Sequence, residues 1–511
     1  MPRQLARLAL SAIMPGVVLW CRFPAARAAD APVQIKTGVA QLFVDDFLIE
    51  SESGLKRTLR QPDKDAGGNV PVIAAKEGTT LLAYGTILHD PRLKRHVMFV
   101  QEFPSRKMYR CTSPDGLVWE QGDHATWVPI AFDLDLKPQK GARGRFGIDL
   151  FSCYYDDKDT EYRYKGWLYF ANCGNDLEGI HFVRSTDGLT WERGRQIINA
   201  FAGPGDPSCR EIHQGGRVVY GPGDVTLFSY DAAENRFLGL FKFFTANAVP
   251  PGNNLRCRAY AFLDKLDEPF DTNRIDRIAL LPPVAEEGGD MPFDEYYAST
   301  AWRYESLWLG GLKVWHHKGD YPYSAAGCAF LKLVVGRDGL HWKKVPFTNN
   351  SGAPEVFIPN GPEGGNGGRN DGGYISEFSQ GPLRIGDELV YYYSSSSYGK
   401  NRPPGERILG GGIFRARLRI DGFVSVDSGT VTTQPLAFQG QGLSINAVGP
   451  MTVELLDVSG KSLAAATITG DSLRHEVTFG GKTLRQLAPG GIARLRFTVG
   501  RKGHLYSFTV R

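Results

Sequence analysis

Short apolar runs of strand length, such as 308–315 (WLGGLKVW) and 389–393 (LVYYY), recur along this chain between polar, glycine-rich turns. Runs of that length, rich in aromatic and β-branched residues and bounded by turn signals, predict strands. One turn repeats. Ser185-Thr186-Asp187-Gly188-Leu189-Thr190-Trp191, Ser113-Pro114-Asp115-Gly116-Leu117-Val118-Trp119 and Gly336-Arg337-Asp338-Gly339-Leu340-His341-Trp342 share an Asp-Gly-Leu-x-Trp core, with degraded copies near Asp264 and at Asp421-Gly422-Phe423. Aspartates 115, 187, 264, 338 and 421 lie 72, 77, 74 and 83 residues apart. A second turn, at Asp90, Asp156, Asp231, Glu305 and Asp387, precedes its partner by 25, 31, 33, 33 and 34 residues.

Two registered turns per repeat describe a sheet of about four antiparallel strands. Such a sheet cannot bury both faces alone, but radial stacking on copies of itself does so, and five repeats predict a five-bladed β-propeller. In the Asp-Gly turn the hydroxyl and carboxylate are expected to bond turn amides while the Trp packs on a neighbouring strand or blade, which makes the motif structural. The segment 39–50 (VAQLFVDDFLIE) alternates as a strand; it is expected to close the ring or lead into the first blade, with Asp45 and Asp46 beside the rim. The segment 361–373 (GPEGGNGGRNDGG) lacks the Gly-Lys-Ser/Thr of a phosphate loop and is expected to form a mobile rim loop over the axis. Beyond Asp427 the repeat stops, and alternating strands with Gly-rich turns predict a small β-sandwich. The fold class is therefore all-β: a five-bladed β-propeller over 30–429, read as the catalytic domain, followed by a C-terminal β-sandwich over 430–511, read as an accessory domain.

Composition and charge narrow the function. Arg3 and Arg7 precede an apolar run over 8–20, and Ala26-Arg27-Ala28 offers a cleavage site, so 1–29 reads as a secretory signal and the mature chain as exported, periplasmic or extracellular. That segment holds four arginines and no acid, so its removal takes the formal charge from +4 to 0. A neutral surface argues against nucleic acid or an anionic membrane as partner, and no later run of about 18 apolar residues suggests a transmembrane anchor. Six cysteines remain, at 111, 153, 173, 209, 257 and 328. Cys153 with Cys173 fits neighbouring strands of one sheet as a disulfide, and free buried thiols fit equally well. There is no Cys-x-x-Cys and no Gly-x-Ser-x-Gly; His475-Glu476 lacks a second histidine, and His316 and His317 are expected on opposite strand faces. No metal ligand and no cofactor are predicted, and a structural cation in the channel is left open.

The inner strand of every blade lines the channel, so acids near its mouth converge. Asp149 and Asp224 lie seven residues before their turns, and Glu295 and Glu377 ten before theirs. Four carboxylates at a comparable level match what glycoside cleavage requires: a carboxylic acid to protonate the leaving oxygen and an ionised one as nucleophile or base. Crowding of like charges is expected to raise one pKa. Asp149 and Asp224 are predicted as base or nucleophile and orienting acid, with Glu295 or Glu377 as general acid. Arg145, Arg210, His213, Asp294, Tyr296, Trp302 and Asp371 are predicted to bind a carbohydrate substrate, with Tyr154 and Tyr297 as further stacking platforms.

Five blades with inner-strand acids followed by a sandwich resemble the invertase-like and arabinanase-like glycoside hydrolases of families 32 and 43. Leu42-Phe43-Val44-Asp45-Asp46-Phe47-Leu48-Ile49-Glu50 and Leu505-Tyr506-Ser507-Phe508 look like a group of exported bacterial proteins described as family-32-like hydrolases. The resemblance implies hydrolysis of a plant- or algal-type poly- or oligosaccharide. The invertase-type Asn-Asp-Pro-Asn-Gly, Arg-Asp-Pro and Glu-Cys motifs are missing: Arg210-Glu211 is followed by Ile212, and Asp90-Pro91-Arg92 sits in a predicted turn. No catalytic residue transfers by motif. The alternative reading is a non-catalytic carbohydrate-binding propeller; a second is a sialidase-like hydrolase, although the sialidase box has one more residue between Asp and Gly.

Overall fold

The computed structural model describes residues 31–120, 127–133, 147–171, 177–199, 209–246, 254–283, 294–317, 327–345, 355–399 and 410–511. The signal segment and Cys173 lie outside them. Five sheets form the five blades, and an eleven-stranded sheet forms the sandwich. Among the described residues the α-helical elements are the single turns Gly365–Gly368 and Leu484–Leu487, and no helix is long and apolar enough to cross a membrane.

The second blade shows how the repeat folds. Gly147–Tyr155, Tyr164–Ala171, Gly179–Ser185 and Thr190–Asn199 run antiparallel from the axis outward. The Asp-Gly turn joins the two outer strands, as the sequence predicts. Asp187 Oδ1 accepts from the amides of Leu189 at 2.7 Å and Thr190 at 3.0 Å, while Ser185 Oγ accepts from the amide of Gly188 at 2.9 Å. Gly188 sits at φ +73°, and a Cβ there would press on the Tyr164 ring at 3.0 Å, so only glycine fits. The same carboxylate-to-amide pattern recurs at Asp115, where the amides of Val118 and Leu117 hold the carboxyl below its ordinary value, and at Asp338.

Each of the three intact turns drives its indole onto the preceding blade. Trp191 of blade two meets Phe99 of blade one with ring centroids 6.0 Å apart, Trp342 of blade four stacks on Tyr260 of blade three at 4.9 Å, and Trp119 of blade one meets Tyr392 of blade five at 5.6 Å. Radial packing thus replaces solvent on the second face of each sheet.

The ring closes differently from the expectation. Residues 39–50 do not join the propeller: Ala40–Leu42 pairs with the C-terminal strand His504–Val510, and Ile49–Leu59 pairs with Val424–Thr433. Phe43 completes an aromatic cluster with Phe497 and Phe508 in the sandwich core. Asp45, buried, forms a two-pronged ion pair with Arg337 and so does not stand at the channel rim. Closure falls to Asp63–Lys64 and Ile73–Ala74, which pair with Gly412–Arg419 as the outer strand of blade five. The apolar alternation of 39–50 reports a buried strand without naming the sheet that buries it.

The Gly-rich segment 361–373 also departs from its expectation. Asn370 and Asp371 are fully buried, Asp371 accepts from Lys64 Nζ at 2.5 Å and Tyr393 Oη at 2.8 Å, and its amide donates to Gly68 O at 3.0 Å. The glycines let this backbone pack against 65–69: a Cβ on Gly68 would lie 2.5 Å from the Asp371 carboxylate. Cys153 sits opposite Gly166 in register and is a buried thiol in no disulfide.

Between blades four and five, Glu377 is buried against strand Leu307–His317. Its Oε1 accepts from Thr300 Oγ1, and a Cβ on Gly311 would fall on the same oxygen. Oε2 has no hydrogen-bond partner. Burial raises this carboxyl from 4.5 to about 7, and the bonds from Thr300 and the Gly311 amide offset only part of that.

Two outcomes follow from these seams. Trp191→Ala should cost about 3–5 kcal/mol, read from the denaturant midpoint at constant slope, because it empties a fully buried inter-blade site. For Glu377 the folded pKa lies above the unfolded one, so the folded chain keeps its proton longer and stability falls as pH rises from about 4.5 through 7, by about 3 kcal/mol in all. Urea unfolding of Glu377→Gln against the parent should show a stability gap that grows in favour of Gln between pH 5 and pH 8; a pH-independent gap would contradict it.

Candidate active site

An axial cavity of about 300 Å³ opens where the five blades meet, lined by Tyr84 from blade one, Asp149 and Leu150 from blade two, Asp224 and Val225 from blade three, Tyr297 from blade four and Tyr374 from blade five. Regular strands alternate faces, so consecutive residues cannot both point at one cavity. In blade two a bulge resolves this: pairing skips from Asp149 to Ser152, and Leu150 adopts φ +57°, a left-handed conformation rare outside glycine. A second skip, between Tyr296 and Ala298, turns Tyr297 inward. In blade three Asp224 lies between the strands Arg217–Gly221 and Leu227–Asp231, after Gly223, whose missing side chain leaves room for Lys242.

Both aspartates are partly open and sit beside a cation. Asp149, with its side chain 24% exposed, lies 3.3 Å from Arg106 Nη2, and Asp224, 44% exposed, is ion-paired with the buried Lys242. Arg106 reaches inward over Gly147, where a Cβ would meet its Cδ at 3.1 Å. The floor is a phenol layer backed by an ammonium. Lys313 Nζ lies 3.1 Å above the Tyr374 ring centre, donates to Tyr84 Oη at 3.0 Å and contacts Ser376 Oγ; the Tyr84 and Tyr374 hydroxyls are 3.3 Å apart. Burial pushes both phenols up, so they stay protonated. Deeper, Thr86, Ser152 and Ser379 join three blades through hydroxyl contacts of 2.5 to 3.3 Å. Arg258, fully buried and pulled down to about 10 by burial, ties blade three to blade four: it donates to Val225 O at 2.9 Å, Leu240 O at 2.7 Å, Tyr297 O at 3.3 Å and Ser299 Oγ at 3.2 Å.

Of the residues predicted from sequence, the structure brings Asp149 and Asp224 together on this cavity, along with Tyr297. Glu295 is buried one layer back, accepting from Arg256 Nη1 at 2.5 Å, and that guanidinium lies 4.5 Å over the Tyr297 ring. Glu377 lies in the seam between blades four and five. Tyr296 is core, and Trp302 packs on Tyr391 across the same seam. Arg210 binds Ile275 O at 3.1 Å from the hairpin at the edge of the blade-three sheet, His213 is exposed beside Glu211, and Tyr154 stacks on Tyr230 between blades two and three. Asp294 is buried against His316, and Asp371 is 0% exposed. Arg145 lies outside the described residues.

Sequence reading passed over Tyr84, Arg106, Lys242, Lys313 and Tyr374. A signal for one of them was present. Counting back from the second turn of each repeat, Tyr84, Asp149, Asp224 and Tyr297 stand six, seven, seven and eight residues before it, and all four line the cavity. Glu295 and Glu377, at ten, fall off that level. Blade five breaks the count, because Tyr374 enters from the end of the Gly-rich segment, thirteen residues before its turn.

No family model matches the chain, and no curated protein matches it. Solved structures similar to it include one described as a glycoside hydrolase, 9% identical over 70% of this chain and 92% of that chain, with a TM-score of 0.40. Another, described as showing that "the GH130 family of mannoside phosphorylases contains glycoside hydrolases that target beta-1,2 mannosidic linkages in Candida mannan", is 13% identical over 71% and 94%, with a TM-score of 0.42. The exo-inulinase of Aspergillus awamori is 11% identical over 89% and 99%, with a TM-score of 0.38. At this level the likeness assigns neither a residue role nor an activity to the chain.

Proposed function

We propose that the protein is an exported glycoside hydrolase acting on a plant- or algal-type poly- or oligosaccharide, with the propeller as its catalytic domain and the sandwich as an accessory one. The observation that carries this reading is the pair Asp149 and Asp224: two carboxyl groups from adjoining blades, partly open, facing one cavity of about 300 Å³ walled by tyrosines. Two carboxyl groups flanking a glycosidic bond suffice for its hydrolysis, one protonating the leaving oxygen and the other acting as nucleophile or as base on water. In this reading Asp149 and Asp224 share those roles. Tyr84, Tyr297 and Tyr374 offer ring faces and hydroxyls to a sugar, Arg106 orients Asp149, and Glu295 holds Arg256 against Tyr297. Glu377 acts on stability alone.

The tyrosine wall also favours a second reading, a non-catalytic carbohydrate-binding propeller. A hydrolysis screen of the mature protein on a glycan library separates the two. On the glycan that is cleaved, Asp149→Asn and Asp224→Asn should each lower kcat about 1,000-fold, the scale of a lost acid or base, while Glu377→Gln stays near the parent. Undiminished cleavage by both Asn variants would remove the site assignment. Calorimetric binding with no cleavage of any bound glycan by the parent would select the second reading.

A further inference from the structure

A second cleft, of about 1100 Å³, lies where the sandwich meets blades three and four, and it shares no lining residue with the axial cavity. Gln34, Phe47 and Gln434 face it from the sandwich side. Arg303 and Glu305 face it from the hairpin that joins Trp302–Tyr304 to Leu307–His317, and Arg337 from the Asp-Gly turn of blade four. The two walls are stitched together. Arg337 grips the buried Asp45 through two nitrogens at 2.7 and 3.0 Å, the Ala40 amide donates to Glu305 Oε2 at 2.8 Å, and Ser306 Oγ donates to Gln41 Oε1 at 3.4 Å. Walls fixed in advance leave little ordering to be done on binding, which favours affinity.

The lining supplies what a sugar chain needs. The Arg337 guanidinium lies over the Phe47 ring, 4.5 Å from its centre, and so holds in place a phenyl group that is 49% exposed. An apolar ring kept in water is a platform for the C–H face of a sugar. Polar groups with unused capacity lie along the same cleft. Among the described residues Glu305 Oε1 accepts no hydrogen bond, and the Arg303 guanidinium, 34% exposed, comes within 4.0 Å of Asp231 Oδ2, too far for one. Gln34 and Gln434 add side-chain amides, which donate and accept as sugar hydroxyls do. Charge narrows the class of ligand: Lys36, Arg303 and Arg337 balance Asp46, Glu234 and Glu305, so the cleft has no net charge to draw in an ion. Its volume exceeds the range of about 300–1,000 Å³ usual for small-molecule pockets, which suits a chain of sugars better than a single ring.

We propose that this cleft is a second carbohydrate-binding site, which holds a neutral oligosaccharide with one ring stacked on Phe47 and hydroxyls bonded to Arg303 and Glu305. The site stands apart from the axial cavity and does not require that cavity to be catalytic.

The test is calorimetric titration of the mature protein with cello-, xylo-, manno-, arabino-, galacto- and fructo-oligosaccharides. At least one should bind; Phe47→Ala and Arg303→Gln should each weaken that binding about 10-fold, and Asp149→Asn, which alters the axial cavity, should leave it at the parental value. Phe47 is half exposed and Arg303 makes no hydrogen bond, so both variants should melt at the parental temperature, which separates lost binding from a lost fold. Failure of every probe to bind, or binding that Phe47→Ala and Arg303→Gln both leave unchanged, overturns the proposal. A parental dimer in light scattering that Phe47→Ala dissociates also overturns it, because the cleft then belongs to a second copy of the chain. Binding that depends on Phe47 and Arg303, with no glycan cleaved, upholds this site while removing the hydrolase reading.

Discussion

A four-stranded sheet with two apolar faces has no stable existence alone, and everything in this molecule follows from how the second face is covered. The indole at the end of each intact Asp-Gly turn is thrust onto the blade before it, Trp191 onto Phe99, Trp342 onto Tyr260 and Trp119 onto Tyr392. The turn's own carboxylate and glycine fix the angle from which the indole leaves. Repeated around a ring, that contact brings five inner strands to one axis, and the axial cavity is the space they leave.

The repeat was legible in the sequence because local chemistry writes it: Asp, Gly and Trp at fixed offsets each answer to a geometric demand within a few residues. Ring closure was not. Residues 39–50 alternate like any buried strand, and whether Phe43 packs in a blade or beside Phe497 and Phe508 depends on partners some 450 positions away. The Gly-rich segment 361–373 looks open by composition, yet its glycines serve close packing around Asp371. Glycine permits both outcomes, and the partners that decide between them lie outside the segment, Lys64 at 307 positions before Asp371 and Tyr393 at 22 after it.

For the site, counting back from the turns reached the cavity in two blades, where it named Asp149 and Asp224, both of which line it. Glu295 and Glu377, at ten, are not among the residues that line it: Glu295 pairs with Arg256 one layer back, and Glu377 lies in the seam between blades four and five. Sequence reasoning also expected four acids to repel one another and lift one pKa by crowding. The structure distributes them instead: Asp149 meets Arg106, Asp224 meets Lys242 and Glu295 meets Arg256. Glu377 is raised, and it owes its shift to burial.

Bulges are what sequence patterning is least equipped to see, since one residue gained on one strand leaves composition and periodicity almost unchanged. Here they decide which chemistry is displayed. Without the skip at Leu150, Asp149 and Leu150 would face opposite sides of the sheet, and without the skip after Tyr296, Tyr297 would sit in core where Tyr296 sits now. The left-handed Leu150 costs about 1 kcal/mol or more of backbone strain, tolerated because Trp167 and its neighbours hold the strand from behind. Regular packing between blades supplies the rigidity, and two local irregularities convert it into a cavity with carboxylates facing inward.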